Sequence, residues 1–111
     1  MPATNDQPLR ALERAHWVRS ARAKLRQAIK ASKVDGYAVL AGEDATWETI
    51  AREVKAKPML RMLKGVGPAT ATDLLARLQI EEEIKLKALT FERRAQMADL
   101  LHEAMEGTKR G

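Results

Sequence analysis

Apolar residues recur at helical spacing along nearly the whole chain, and no stretch alternates apolar with polar as a half-buried strand would. A long first helix is predicted from about residue 7 to 32, with Val18, Ala21, Leu25, Ala28 and Ile29 on one face. Leu9 and Leu12 fall off that face, so the first two turns are expected to project or fray. Shorter elements follow, set by capping chemistry. Asp35 can cap a helix that Gly42 ends, and Thr46 can cap another that starts at Trp47 and turns Ile50 and Val54 inward. Pro58 suits the first position of a helix reaching Leu63, because a proline disfavours helical geometry at the preceding Lys57. Leu74, Leu75 and Leu78 mark the core face of the next helix, and Glu81-Glu82-Glu83 favours the start of a further short one. Thr90 can cap the last helix, with Phe91, Ala95, Ala98, Leu101 and Met105 inward and Gly107 as its stop. The expected fold is all-α, a long N-terminal helix plus a small helical bundle. It divides into a flexible 1–8, one domain over 9–106 and a disordered tail over 107–111.

The stretch "LKGVGPATA" (63–71) breaks the periodicity. Its pattern is Leu60, Leu63, Gly65-Val66-Gly67, Ala71 and Leu74-Leu75, and each position has a mechanical reason. The glycines permit positive φ and close backbone approach, Val66 tucks between the helices, and Ala71 is small enough for a tight crossing. Beyond Gly67 the free amides of a helix N-terminus favour an anion. Pro68 removes one donor, leaving the amides of Val66, Gly67, Ala69 and Thr70, with the Thr70 hydroxyl as a helper. The spacing over 58–79 is similar to the helix-hairpin-helix motif, which binds nucleic-acid backbone without reading sequence.

Charge adds a partner class. The chain of 111 residues carries a net +5. Residues 1–34 hold eight Lys/Arg against Asp6 and Glu13, or +6, and the remaining 12 basic against 13 acidic residues give −1. On the first helix Arg19, Arg22, Arg26, Lys30 and Lys33 form a stripe apart from the apolar face. Like charges on neighbouring turns repel one another, so such a stripe suits phosphates. The chain has no cysteine for a disulfide or thiolate metal site, no run long enough to cross a membrane and no secretory pattern at its start, so a soluble cytoplasmic protein is expected. His16 and His102 lie on separate predicted helices without a third partner, and no acidic cluster is repeated, so neither catalysis, a metal nor a cofactor is expected. Trp17 and Trp47 read as core or core-edge, since the chain is only 4% aromatic and single-strand binders present several aromatic rings.

From about Arg10 to Met105 the chain resembles the actinobacterial integration host factor family. It has the basic, Ala-rich first helix, the short helices, "KAKPMLRMLKGVGPATATDLLARLQI", a basic segment and a last helix. The resemblance implies a helix-two-turns-helix fold and a nucleoid-associated protein that binds double-stranded DNA, bends, bridges or compacts it, and assists phage integration. It is unrelated in fold to the proteobacterial heterodimer of the same name. By the same resemblance Lys85 and Lys87 inherit a phosphate-binding role in "IKLKALT", where Ile84 replaces a basic residue. Pro68-Ala69-Thr70 stands where the family carries lysine or arginine, and Ala88 and Thr90 replace glycines. A diverged or phage-encoded member fits these departures. Lys64, Gly65, Val66, Gly67, Ala69 and Thr70 would then anchor one backbone segment, with Lys85 and Lys87 flanking it and the first-helix stripe reaching further. A monomer is expected, meeting a phage integrase only on shared DNA. Two other readings stand beside this one: a protein that binds structured RNA, and a helical module that docks on an acidic protein partner.

Overall fold

The computed structural model describes residues 6–110, with side chains over 12–107. It contains α1 (Asp6–Lys30), α2 (Gly36–Ala41), α3 (Ala45–Ala51), α4 (Ala56–Met62), α5 (Pro68–Leu78), a single 3-10 turn (Leu86–Ala88) and α6 (Phe91–Arg110). The fold is all-α. The only pairing of β type among the described residues is one isolated antiparallel bridge, Lys55 to Lys85. None of the described helices is long and apolar enough to cross a membrane.

Leu25 and Ile29 are buried and dock α1 on a core of Val39, Leu40, Met59, Leu60, Leu74, Leu75, Met97 and Leu101. The N-terminal half of α1 is less engaged: Leu12 is 54% exposed and Trp17 48%. Trp17, expected at the core or its edge, is not part of the core: it lines an open cleft beside Thr49 and Arg52. Trp47 does pack against the core.

Most predicted boundaries stand within two residues, and the differences have local causes. Asp35 caps α2 and Gly42 ends it at φ +83°. For α3 the cap is Asp44, not Thr46: its Oδ1 accepts from the amides of Thr46 and Trp47 at 3.0 and 3.3 Å, so the helix starts earlier. Helix α4 begins at Ala56, two residues before Pro58, and Lys57 is helical. Lys55 supplies no side-chain cap. Instead the amides of Ala56 and Lys57 donate to the carbonyls of Ile84 and Glu82 at 2.7 and 3.2 Å. Pro58, third in the helix, has no amide that would need a partner.

That backbone pairing also explains why Glu81-Glu82-Glu83 starts no helix. The segment runs antiparallel to 52–57, with the amides of Leu86 and Lys87 donating to the carbonyls of Val54 and Arg52, both at 3.0 Å. The Glu82 and Glu83 carboxylates reach Lys57 and Lys55. At the chain's end, α6 continues through Gly107 to Arg110, so Gly107 does not stop it. A lone glycine costs a helix only ~1 kcal/mol relative to alanine. Thr90 does cap α6, its Oγ1 accepting from the Arg93 amide at 3.1 Å. Phe91 is 63% exposed, because the first helical position overhangs the core edge. The expected flexible 1–8 falls mostly outside the described residues, with Asp6 already helical.

One buried cation ties α6 to α2 and α3. Arg94 is 2% exposed. Its Nε and one terminal nitrogen donate to the carbonyls of Leu40 and Val39 at 2.9 and 3.0 Å, and both terminal nitrogens meet the Glu48 carboxylate at 2.7 and 2.8 Å. The Phe91 ring lies 5.5 Å from its guanidinium carbon. All three guanidinium nitrogens are used, and two of the four bonds go to carbonyls at the negative end of α2.

Candidate nucleic-acid interface

The corner between α4 and α5 is built as its sequence requires. Val66 and Ala71 are buried, and Gly65 sits at φ +80° with an added Cβ only 2.8 Å from the Met105 methyl. Gly67 is different. Its φ of −91° is open to any residue, and an added Cβ would meet nothing within 4 Å. It is the N-cap of α5, without a side-chain cap, and Pro68 follows as the first helical residue.

The Val66 amide does not join the anion-binding set. It donates to the Leu63 carbonyl at 3.2 Å, closing the turn. The first backbone bond into α5 comes from the Ala71 amide to the Gly67 carbonyl, at 3.1 Å. The amides of Gly67, Ala69 and Thr70 thus have no partner among the described residues, and they sit at the positive end of an 11-residue helix. Lys64, beside them, is exposed and donates to the Ser32 hydroxyl just beyond the end of α1.

Contacts between α1 and the 53–64 segment advance together along both. Arg14 meets Glu53 at 3.7 Å; Arg22, Arg26 and Lys30 share an open cleft of about 690 Å³ with Lys57, Arg61 and the carboxylates of Glu82 and Glu83; Ser32 meets Lys64. The two elements therefore lie side by side in parallel sense, and their outer faces form a double row of cations. From Arg14 to Lys30 the α1 row spans about 24 Å at 1.5 Å per residue, roughly seven phosphates at 3.4 Å per phosphate along one strand. Lys33 and Lys64 line the next cleft, where the rows reach the corner. Arg61 and Lys57 are the members that sequence reasoning did not single out. No linear signal marks Arg61: its exposure between buried Leu60 and Met62 is set by the fold.

Lys85 and Lys87 do not flank the corner. They lie at the opposite end of α4, where Lys85 pairs with Lys55 in the isolated bridge. There they share Glu53, whose side chain is 7% exposed, with Arg14: Lys87 Nζ is 3.1 Å from both carboxylate oxygens and Lys85 Nζ 3.9 Å from one. The Lys87 hydrogen bond, aided by the charges of Lys87, Lys85 and Arg14, holds the Glu53 carboxyl below its usual range against the opposing effect of burial. Lys55 and Lys57 are likewise occupied, by Glu83 at 2.7 Å and Glu82 at 3.2 Å. No acid within salt-bridge distance answers Arg19, Arg22, Arg26, Lys30, Lys33, Arg61 or Lys64 among the described residues.

No protein-family model matches the chain, and no curated protein does. Among solved structures, it is similar to sIHF, an integration host factor, in a structure described as sIHF bound to an 8-base-pair palindromic DNA. The sequences are 26% identical, the match covers 82% of this chain and 97% of that one, and the TM-score is 0.61. The fold is integration-host-factor-like. His16 is exposed, and His102 stacks edge-on against Tyr37, with ring centroids 5.3 Å apart.

Proposed function

We propose that the chain is a nucleoid-associated protein of the cytoplasm that binds double-stranded DNA through its phosphate backbone, with little direct base readout. The observation that carries this reading is the run of seven cations without a paired acid, Arg19 to Lys33 with Arg61 and Lys64, ending at the three free amides of the α5 N-terminus. The likeness to a protein solved on DNA supports it. Phosphates would complete both features at once: the cations gain counter-charges and the Gly67, Ala69 and Thr70 amides gain acceptors.

A contact this extended along one side of a small protein favours bending, bridging or compaction over sequence selection. Assistance to a phage integrase acting on the same DNA follows from such bending. The departures at Pro68-Ala69-Thr70 and Ile84 fit a diverged or phage-encoded relative of the actinobacterial integration host factors, in which backbone amides do at the corner what side-chain charge does elsewhere.

Mobility-shift titration on random-sequence duplex across a salt series tests the proposal. With about six phosphates neutralised, affinity falls ~10³-fold between 50 and 200 mM salt. Replacing Arg22 and Arg26 together by Glu reduces the slope. Binding that is absent at low salt, or insensitive to salt, refutes the reading, and a preference for structured RNA in direct competition redirects it.

A further inference from the structure

Helices α1, α2 and α5 end on the same backbone turn. At the end of α1 the Lys33 and Ser32 amides donate to the Ala28 and Ile29 carbonyls at 2.9 and 3.0 Å; Glu43 and Gly42 close α2 onto Ala38 and Val39 in the same way, and Ile80 and Gln79 close α5 onto Leu75 and Ala76. The turn needs one left-handed residue, usually glycine. Glycine fills it at Gly42, with φ +83°, whereas Gln79 has φ +57° and Ser32 φ +59°. The Gln79 side chain makes no hydrogen bond among the described residues, so nothing is gained there from the unusual backbone. The Ser32 side chain is engaged. Its exposed hydroxyl accepts from Lys64 Nζ, and its own proton goes to no acceptor among the described residues. Lys33 lines the same open cleft of about 570 Å³ as Ser32 and Lys64, and neither lysine has an acid within salt-bridge distance among the described residues. The acids on that cleft, Asp35 and Glu106, face other groups, the Tyr37 amide at 3.0 Å and His102 at 3.9 Å. A hydroxyl proton without an acceptor, beside an ammonium with two N–H donors left over, is a donor pair for one phosphate.

We propose that Ser32 is a phosphate-contacting residue of the DNA interface: its hydroxyl accepts from Lys64, which fixes the ammonium, and the two groups together donate to one phosphate. Lys64 directly precedes Gly65 of the α4–α5 corner, so the contact belongs to the strand that the corner holds. A serine kept where glycine is the easier residue is then explained, since glycine would supply the turn and not the hydroxyl. The inference rests on the DNA-binding reading and extends it to a side chain that carries no charge.

The test compares Ser32→Gly, Ser32→Asn, Gln79→Gly and Lys64→Met with wild type in thermal unfolding and in mobility-shift titration on random-sequence duplex across a salt series. Ser32→Gly relieves the left-handed backbone, so its Tm is expected to hold or rise, while its affinity falls about three- to tenfold, the worth of one ordinary hydrogen bond. No charge is lost, so the salt slope stays at the wild-type value, whereas Lys64→Met lowers it by about one. Ser32→Asn, which tolerates positive φ and donates from its side-chain amide, keeps most of the affinity. Gln79→Gly makes the same backbone change at the end of α5 and leaves binding unchanged. In a Lys64→Met background Ser32→Gly costs less affinity than it does in wild type. Wild-type affinity in Ser32→Gly, an equal loss in Gln79→Gly, a Tm drop of more than about 4 °C in Ser32→Gly, or losses at 32 and 64 that multiply independently each overturn the contact while duplex binding stands. Failure of wild type to bind duplex at low salt overturns the DNA reading and this inference with it.

Discussion

Gly67→Asp separates the fold from the function because the two respond with opposite sign. Residue 67 is the N-cap of α5 in extended geometry, φ −91° and ψ 176°, with open space where a Cβ would go and no side chain capping the helix. An aspartate there accepts from the amides of the first turn and places negative charge at the positive helix end. Relative to glycine the cap itself is worth a few tenths of a kcal/mol, and the charge adds about 0.3–1 kcal/mol. The folded protein should therefore gain roughly 0.5–1 kcal/mol, a rise of about 2–6 °C in Tm for a domain of this size.

The same carboxylate occupies the Ala69 and Thr70 amides, where a phosphate would sit, and repels it. Two like charges about 4 Å apart in a wet interface cost about 1–4 kcal/mol, depending on the effective dielectric. Affinity for duplex should fall about tenfold or more, each factor of ten being about 1.4 kcal/mol. Gly67→Asn is the matched control, since it caps nearly as well and carries no charge. Thermal unfolding and a mobility-shift titration at one fixed salt concentration read both effects. Loss of stability in Gly67→Asp would mean that the backbone at 67 is not as open as it looks. Affinities of Asp and Asn variants that both match wild type would remove the corner from the interface.

Other perturbations probe other parts of the molecule. Arg94→Met leaves Glu48 without its partner and the Leu40 carbonyl without its guanidinium donor, while the Val39 carbonyl keeps only the Gly42 amide, so a loss of about 3–5 kcal/mol is expected in urea unfolding; Arg94→Lys, which cannot reproduce the fork, should recover little. Gly42→Ala puts a side chain at φ +83° with its Cβ 2.6 Å from the Phe91 ring, and should cost at least ~1 kcal/mol, which Phe91→Ala in the same chain partly restores. For Glu53, whose folded pKa is lowered, the linked stability is present above the unfolded value of about 4.3 and is lost as pH falls through the folded value. Glu53→Gln should therefore lower stability by about 1 kcal/mol or more at neutral pH, with the gap to wild type closing at acidic pH. It should also release Arg14, Lys85 and Lys87 and so steepen the salt dependence of DNA binding.

Much of the fold is written locally. Asp35 and Thr90 cap the helices they precede, Gly42 and Gly65 take the positive φ that their turns need, and the apolar spacing of Leu25 and Ile29 marks the docked part of α1. What escapes local reading depends on partners far along the chain. Helix α4 starts two residues early because a segment nearly thirty residues later supplies its missing acceptors. The three glutamates form no helix for the same reason, since their backbone is already paired and their carboxylates answer Lys55 and Lys57. Arg94 sits in an ordinary surface-like "FERRAQ" until α2 ends above it.

The candidate site follows the same division. The α1 stripe is legible because 3.6-residue periodicity alone puts Arg19, Arg22, Arg26 and Lys30 on one side. Its second row is not, because net charge hides segregation. Residues beyond 34 sum to −1, yet folding turns Lys57, Arg61 and Lys64 towards α1 and places Asp73, Asp99 and Glu103 on α5 and α6. The acids that do enter the rows, Glu53, Glu82 and Glu83, are spent on Lys85, Lys87, Lys55 and Lys57. Two cations nominated by family likeness are therefore partly neutralised, and Arg61, nominated by nothing in the linear pattern, is free. If phosphate binding follows available charge, Arg61→Glu should weaken duplex binding and flatten its salt slope more than Lys87→Glu does, although α4 contributes only seven residues to the fold. The reverse order would mean that DNA displaces Glu53 from its lysines, and that the ion pairs seen in the free protein exchange for phosphates on binding.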